Sequence, residues 1–286
     1  MGITLGLNIA SLTAQRRLDL TVSELGKTYE RLASGKRINR ASDDAAGLAI
    51  ADTLRSDRRV ANIAIQNANQ GISAIAIADS ALGEISVVLT RLAELAEQSA
   101  NGVFSVVQRS ALSNEFTALA SEIERIAVTT EFNGLKILSA DQNIALQVGF
   151  DAASTSQILY SGVQATLNAL GLAPTGSSKL TYSVNGITIA AGQSAARLAL
   201  DAINRAIGSI SSSRGVLGAT GSRLEQAIIN LSVARENFGA AEVRIRDADI
   251  AEESARLVRL GILQQAGAAV IGQANQQPNL ALSLLS

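Results

Sequence analysis

The chain of 286 residues contains neither cysteine nor histidine. Their absence excludes disulfides, the usual zinc and iron–sulfur sites, cysteine nucleophiles and histidine general bases. Aromatic residues make up only 3% of the chain and tryptophan is absent, a composition that poorly suits an aromatic-lined ligand pocket. We therefore expect no metal, no cofactor and no catalytic residues, and we do not expect an enzyme.

The chain also has little net charge and no long uninterrupted apolar run. Its formal net charge of −1 argues against nucleic acid as a partner, because binding to phosphates requires an excess of basic residues. The first residues lack the charged and apolar regions of a cleavable signal peptide. Since no run of ~18 apolar residues occurs, we expect no insertion into a membrane.

Hydrophobic residues, by contrast, account for 47% of the chain, and one long stretch of them dominates. From 45 to 100 the apolar residues recur at steps of three and four without a proline. This period predicts a single helix, about 80 Å long, whose apolar stripe packs against other helices. The stripe consists of Ala61, Ala64, Ala68, Gly71, Ile75, Ala78, Leu82, Ile85, Leu89, Leu92 and Ala96.

Helices are predicted on both sides of this stretch. The N-terminal one should end at Gly35, because glycine readily adopts the left-handed cap conformation. A helix from 105 to 130 should reverse direction and form an antiparallel hairpin with the long helix. Between them, the Ser-Asp-Asp sequence at 42–44 predicts a helix N-cap, with a metal site at Asp43 and Asp44 as the alternative.

The middle of the chain changes from helical period to alternation. Residues 144–148 alternate between apolar and polar, which predicts a strand. Residues 180–189 alternate on both sides of an Asn-Gly pair that is typical of type I′ turns, so they predict a β-hairpin. The helical period then returns, and a last helix is predicted from Ala240 to Gln276, ended by Pro278.

Together these patterns predict a mainly α-helical protein, in which long antiparallel helices form a bundle of coiled-coil rods and a small β-hairpin region occupies the middle. We expect a terminal coiled-coil domain formed by 1–43 with 240–286, a helical rod domain formed by 44–148 with 193–239, and a short β-rich insert at 149–192. Periodicity alone leaves two alternatives, a monomeric helical bundle and a subunit whose seams pack against other chains.

Several segments resemble the terminal regions of bacterial flagellins. The longest matches read ERLASGKRIN at 30–39 and ASDDAAGLAIA at 41–51. The matches lie in the family's order and fall within 1–150 and 195–286. The shorter ones are NANQGIS at 67–73, FNG at 132–134, RLE at 223–225, DAD at 247–249 and QANQ at 273–276.

The resemblance implies a structural subunit that self-assembles into the helical flagellar filament, outside the cell, for swimming. Members of the family leave the cell unfolded through the flagellar export apparatus, are handled by an export chaperone, and add at the tip under a cap. The resemblance thus implies cap and junction proteins as further partners. The short stretch at 149–192 implies a short form that lacks large outer domains. A hook–filament junction protein of the same architecture is the alternative.

On this interpretation the heptad seams serve self-assembly between identical or closely related subunits. The resemblance also implies recognition by a Toll-like innate immune receptor, with Arg91, Leu95 and Glu115 at the matching positions. The self-assembly candidates are leucines near the two ends of the chain, namely Leu18, Leu25, Leu32, Leu257, Leu263, Leu284 and Leu285.

Overall fold

The computed structural model describes residues 8–140, 143–160 and 162–285, with side chains described as far as Gln276. Long helices dominate these ranges, and the strands form two short antiparallel pairs, so the predicted mainly α-helical class is confirmed. The helices are α1 (Ile9–Ser34), α2 (Ala45–Ala100), α3 (Val106–Thr129), α4 (Ile189–Arg246) and α5 (Ile250–Leu285). The strands are β1 (Glu131–Phe132), β2 (Leu135–Lys136), β3 (Ile144–Gln147) and β4 (Gln157–Tyr160).

The described structure divides into two compact units. One, here called the terminal unit, contains Met1–Arg58 and Glu236–Ser286, and the other, the central unit, contains Arg59–Arg235. The division into a terminal domain, a rod domain and an insert with the boundaries given above stays a prediction.

Helix boundaries follow the capping chemistry of the sequence. α1 ends at Gly35, whose φ of 68° is left-handed, as predicted. α2 begins where predicted, since the Asp44 carboxylate accepts a hydrogen bond from the Gly47 amide at 2.8 Å. α3 begins with a capping box, in which the Ser105 and Gln108 side chains accept from each other's backbone amides.

The predicted stripe of α2 forms the centre of the central unit's core. Every residue of the stripe is buried, and Leu82, Leu89 and Leu92 have no exposed surface. α3, α4 and the residues between β2 and α4, here called the middle segment, cover this stripe with further apolar side chains. The 3.5-residue period therefore predicted both the length of the helix and its buried face.

The middle segment packs into this same core. Val163, Leu167, Leu172 and Val184 are buried in the cluster formed by the helices. Glu124 of α3 also accepts a hydrogen bond from the Leu167 amide at 2.8 Å. The middle segment and the helices therefore share one hydrophobic core in the described part of the chain.

The strand predicted at 144–148 is confirmed as β3. β3 pairs antiparallel with β4, with Ile144 opposite Tyr160 and Gln147 opposite Gln157. A second, very short pair, β1 with β2, turns through Asn133 and Gly134, which both have positive φ.

The β-hairpin predicted at 180–189 is wrong. These residues contain no strand, and Ile189 already begins α4. The Val184 side chain is buried and its carbonyl accepts a hydrogen bond from the Ser99 hydroxyl at 2.5 Å. The Thr188 hydroxyl accepts from the Ala191 amide at 3.2 Å and so caps α4. Contacts with α2 and the start of a long helix therefore override the local turn preference.

The predicted bounds of the last helix are also wrong. α4 continues through Ala240 to Arg246, and residues 247–249 separate it from α5. Asp249 accepts hydrogen bonds from the Ala251 and Glu252 amides, so it is the N-cap of α5. α5 continues past Pro278, because a proline removes one backbone donor without requiring that the helix end there.

α2 contains an 18-residue window with a mean hydropathy of 1.7, long and apolar enough in composition to cross a membrane. The same property is common in core helices of helical bundles, and the stripe of α2 lies inside such a core. That no segment enters a membrane stays a prediction.

Candidate functional site

α1 and α5 pair along a seam that covers most of the length of α1. Leu18 of α1 lies against Gly267 of α5, where a Cβ atom would be 3.9 Å from the Leu18 Cβ. At the far end the Asn8 side chain donates to the Ala274 carbonyl at 2.8 Å. Since low residue numbers on α1 meet high numbers on α5, the two helices form an antiparallel coiled coil.

Two ion pairs join the same helices. The Arg31 guanidinium lies 3.0 Å from the Glu253 carboxylate, and these side chains are 21% and 9% exposed. Arg256 lies 2.9 Å from Glu24, and both of these side chains are well exposed. The first pair is part of the seam, whereas the second lies on the surface, where salt bridges contribute little.

The base of the coiled coil is closed by backbone contacts between the two connectors. Lys36 and Asp247 form an isolated antiparallel bridge. The Arg37 amide donates to the Arg246 carbonyl at 2.7 Å, and the Ala248 amide donates to the Gly35 carbonyl at 3.1 Å. These bonds, here called the base clasp, hold the end of α1 beside the start of α5.

Large apolar side chains are exposed on the side of this coiled coil that faces away from the seam, among charged ones such as Arg16 and Lys27. On α1, Leu20 is 64% exposed, and on α5, Ile262 is 61% exposed. The sequence from 260 to 286 contains no charged residue. Within the described side chains, this outer face consists of Ile9, Leu12 and Leu20 on α1 and Val258, Ile262, Leu263 and Val270 on α5.

The chain matches known proteins over almost its whole length. The N-terminal helical region of bacterial flagellin matches residues 6–143, and the C-terminal helical region matches residues 200–285. The chain belongs to the bacterial flagellin family. A flagellin of Halalkalibacterium halodurans is 39% identical, and one of Bacillus subtilis is 38% identical, each over 97% of this chain and 98% of its own length.

Among solved structures, the crystal structure of Bacillus cereus flagellin is 25% identical and has a TM-score of 0.48, over 58% of this chain and 88% of that chain. The sequence matches, independently of that structure, identify the chain as a structural subunit of the extracellular flagellar filament and not an enzyme. These matches support the alternative, a hook–filament junction protein, no better than they support a filament subunit.

The predicted assembly leucines occupy two different places in this flagellin. Leu18, Leu25, Leu32 and Leu257 are half-buried in the α1–α5 seam, so they contact the same chain. Leu263 is 51% exposed on the outer face. The side chains of the other two candidates, Leu284 and Leu285, lie outside the described residues.

The three receptor candidates are also separated by burial. Arg91 and Glu115 meet on the surface, with 2.8 Å between guanidinium and carboxylate, and they are 48% and 45% exposed. Glu94 is a second partner of Arg91 at 2.9 Å. Leu95 has no exposed surface and lies in the central core. Recognition by a Toll-like receptor stays a prediction. Of the three candidates, Arg91 and Glu115 are exposed and Leu95 is not.

The acidic pair before α2 acts in local structure. Asp43 accepts hydrogen bonds from the Arg40 and Asn39 amides, which lower the pKa of its carboxyl below the usual value. Asp44 caps α2 as described above. In the described part of the chain, no cluster of three or more acidic residues is arranged to hold a metal ion.

Sequence analysis missed the seam partners on α5 and the ion pair at Arg31. The seam positions on α5 recur at every third or fourth residue, but the sequence places Gln264, Gly267 and Ala274 among the apolar residues at these positions, so the period is weak. The many exposed alanines and glycines between these positions concealed the period.

Proposed function

We propose that the outer face of the α1–α5 coiled coil is the surface through which neighbouring subunits associate in the filament. The observation that supports this is the exposed apolar surface on both helices, of which Leu20, 64% exposed, and Ile262, 61% exposed, are examples. Burying one such side chain contributes about 1.5–3 kcal/mol, so a few of them per subunit are sufficient to drive association. In this proposal the seam leucines act indirectly, by holding the two helices together.

The test is seeded filament growth of purified subunits, followed by sedimentation and electron microscopy. Ile262→Ser together with Leu263→Ser should raise the critical concentration about tenfold or more, because each lost contact weakens addition by 1 kcal/mol or more. Leu198→Ser is the matched control, since Leu198 is 62% exposed but lies in the central unit. Equal critical concentrations for the outer-face variant and the control would contradict the proposal.

Assembly at the filament tip requires further partners, and the family assignment supports their involvement. In this proposal the flagellar export apparatus passes the unfolded chain, an export chaperone binds it beforehand, and cap and junction proteins contact it at the two ends of the filament. The absence of cysteine suits such a route, because no disulfide can interrupt it. Inactivating the export apparatus should retain the chain inside the cell, and undiminished secretion would contradict this route.

A further inference from the structure

The α1–α5 seam contains an ion pair between the buried Glu253 and the half-buried Arg31. Glu253 is 7% exposed as a residue, and its Oε1 atom lies 3.0 Å from the Arg31 guanidinium. Its Oε2 atom is buried and has no hydrogen-bond partner among the described residues. Without Arg31, therefore, the whole carboxylate would be buried and unpaired, which is strongly unfavourable.

The rest of the seam distinguishes poorly between alternative alignments. Among its half-buried and buried positions, those that follow the heptad spacing are Ser11, Ala14, Leu18, Thr21, Leu25, Thr28 and Leu32 on α1, and Leu257, Leu260, Gln264, Gly267, Ile271 and Ala274 on α5. Because both sets repeat every seven residues, sliding one helix by a heptad again places seam positions opposite each other. Because none of these side chains carries a charge, such a shift leaves no ion among them unpaired.

The ion pair does not tolerate it. A shift of one heptad moves the helices by about 10 Å relative to each other. In one direction Glu253 would meet Glu24 instead of Arg31, and in the other direction Arg31 would meet Leu260. Either shift leaves a buried charge without its partner or beside a like charge.

We propose that Arg31 and Glu253 set the register of the α1–α5 coiled coil. They are positioning residues, which act by excluding shifted alignments and not by contacting another subunit. The base clasp is the competing determinant, because it also holds 35–37 beside 246–248. Register determines whether Leu20 of α1 and Ile262 of α5 present one continuous outer face, a consequence that rests on the proposed function.

The test measures register directly by disulfide cross-linking of the full-length monomer, in an osmolyte that favours the folded state. Since the chain has no cysteine, introduced pairs report without background. Leu18→Cys with Gly267→Cys reports the observed register, because 3.9 Å between Cβ atoms suits a disulfide. Leu18→Cys with Leu260→Cys or with Ala274→Cys reports the two shifted registers.

With Arg31 and Glu253 in place, the observed-register pair should form about tenfold faster or more than either shifted pair. The double variant Arg31→Leu with Glu253→Leu should bring these rates to within about twofold of each other. Exchanging the charges, by Arg31→Glu with Glu253→Arg, should restore the original preference. The control removes the exposed pair by Arg256→Gln, which keeps Glu24 in place, and should leave the preference unchanged.

Unchanged preference in the leucine variant would overturn the proposal and assign register to the base clasp or to apolar packing. Failure of the charge exchange to restore the preference would overturn it as well. Because cross-linking is read in the monomer, neither result depends on whether the outer face is the assembly surface. That question is decided separately by the Ile262 and Leu263 variants.

Discussion

The terminal and central units are built from the same heptad pattern, but they bury it to different extents. In the central unit Leu82, Leu89 and Leu92 have no exposed surface, because α3, α4 and the middle segment cover α2. In the terminal unit the seam leucines, such as Leu25, are only half-buried. A coiled coil of two helices covers one stripe on each helix, whereas a bundle with further layers covers more of the surface.

The difference shows where the fold is complete within one chain. In the described part of the terminal unit, the buried apolar residues are Ile38, Ala51 and Ala274, while large apolar residues remain exposed along both helices. The main hydrophobic cluster lies in the central unit. We infer that the central unit folds on its own contacts and that the terminal unit depends on neighbouring subunits for much of its stability.

The largest expected effect comes from truncating a core leucine. Leu92→Ala should lower the free energy of unfolding of the central unit by about 2–5 kcal/mol, because the surrounding helices cannot close the cavity. Leu25→Ala, in the half-buried seam, is the matched change in the terminal unit and should leave the central transition in place. Urea unfolding followed by circular dichroism measures both variants. Equal losses in the free energy of unfolding would contradict the difference in burial between the two units.

A second effect concerns the buried tyrosine of the central unit. Burial raises the pKa of Tyr160 to about 12 from a usual value of 10.0. Since the folded state then holds the proton more tightly, this contribution to stability is present below pH 10.0 and is lost as the pH rises towards 12. Stability should therefore fall by about 1–2 kcal/mol over this range relative to a variant without the group.

Tyr160→Phe is that variant. It should remove this alkaline loss and also the late-ionising phase from the ultraviolet titration of the tyrosines. If the difference in unfolding free energy between the two proteins were the same at neutral and alkaline pH, burial would not raise the pKa of Tyr160, and this account of the tyrosine would be wrong.

The smallest effect is expected on the surface of the central unit. Asp79 of α2 and Arg214 of α4 form a bidentate pair, with 2.7 Å for the shorter contact, and Arg214 lowers the pKa of Asp79 below 3.8. The stabilisation is therefore present above pH 3.8 and is lost as the pH falls through the lowered pKa.

Because both side chains are more than two-fifths exposed, Asp79→Asn should cost only about 0.5 kcal/mol at neutral pH. Unfolding measured at neutral pH and at about pH 2 should show this difference only at the higher pH. A loss of several kcal/mol would mean that surface pairs, and not the apolar core, distinguish the two units.

Much of this architecture could be predicted from the sequence, because local signals and tertiary packing agree in it. The stripe from Ala61 to Ala96 defined α2, and Gly35 defined the end of α1. At 180–189 the two disagree: alternation and an Asn-Gly pair favour a hairpin, but Val184 is buried against α2 and Thr188 caps α4. The contact between Ser99 and Val184 joins residues 85 positions apart, so the local pattern could not predict it.

The terminal unit was harder to predict, for a different reason. The assembly leucines were chosen by spacing, and spacing does not distinguish a residue that contacts its own chain, such as Leu18, from one that faces outward, such as Leu263. The Arg31–Glu253 pair joins residues more than two hundred positions apart. Its alignment depends on the antiparallel register, which only the folded chain specifies.

The most direct test of the account is backbone hydrogen exchange, read by mass spectrometry, on the monomer and on the assembled filament. We expect amides of α2 and α3 in the central unit to be equally protected in both states, because their core is complete within one chain. Amides of α1 and α5 should exchange at least about a hundredfold more slowly in the filament than in the monomer. Equal protection of α1 and α5 in the two states would contradict the claim that neighbouring subunits complete the terminal unit.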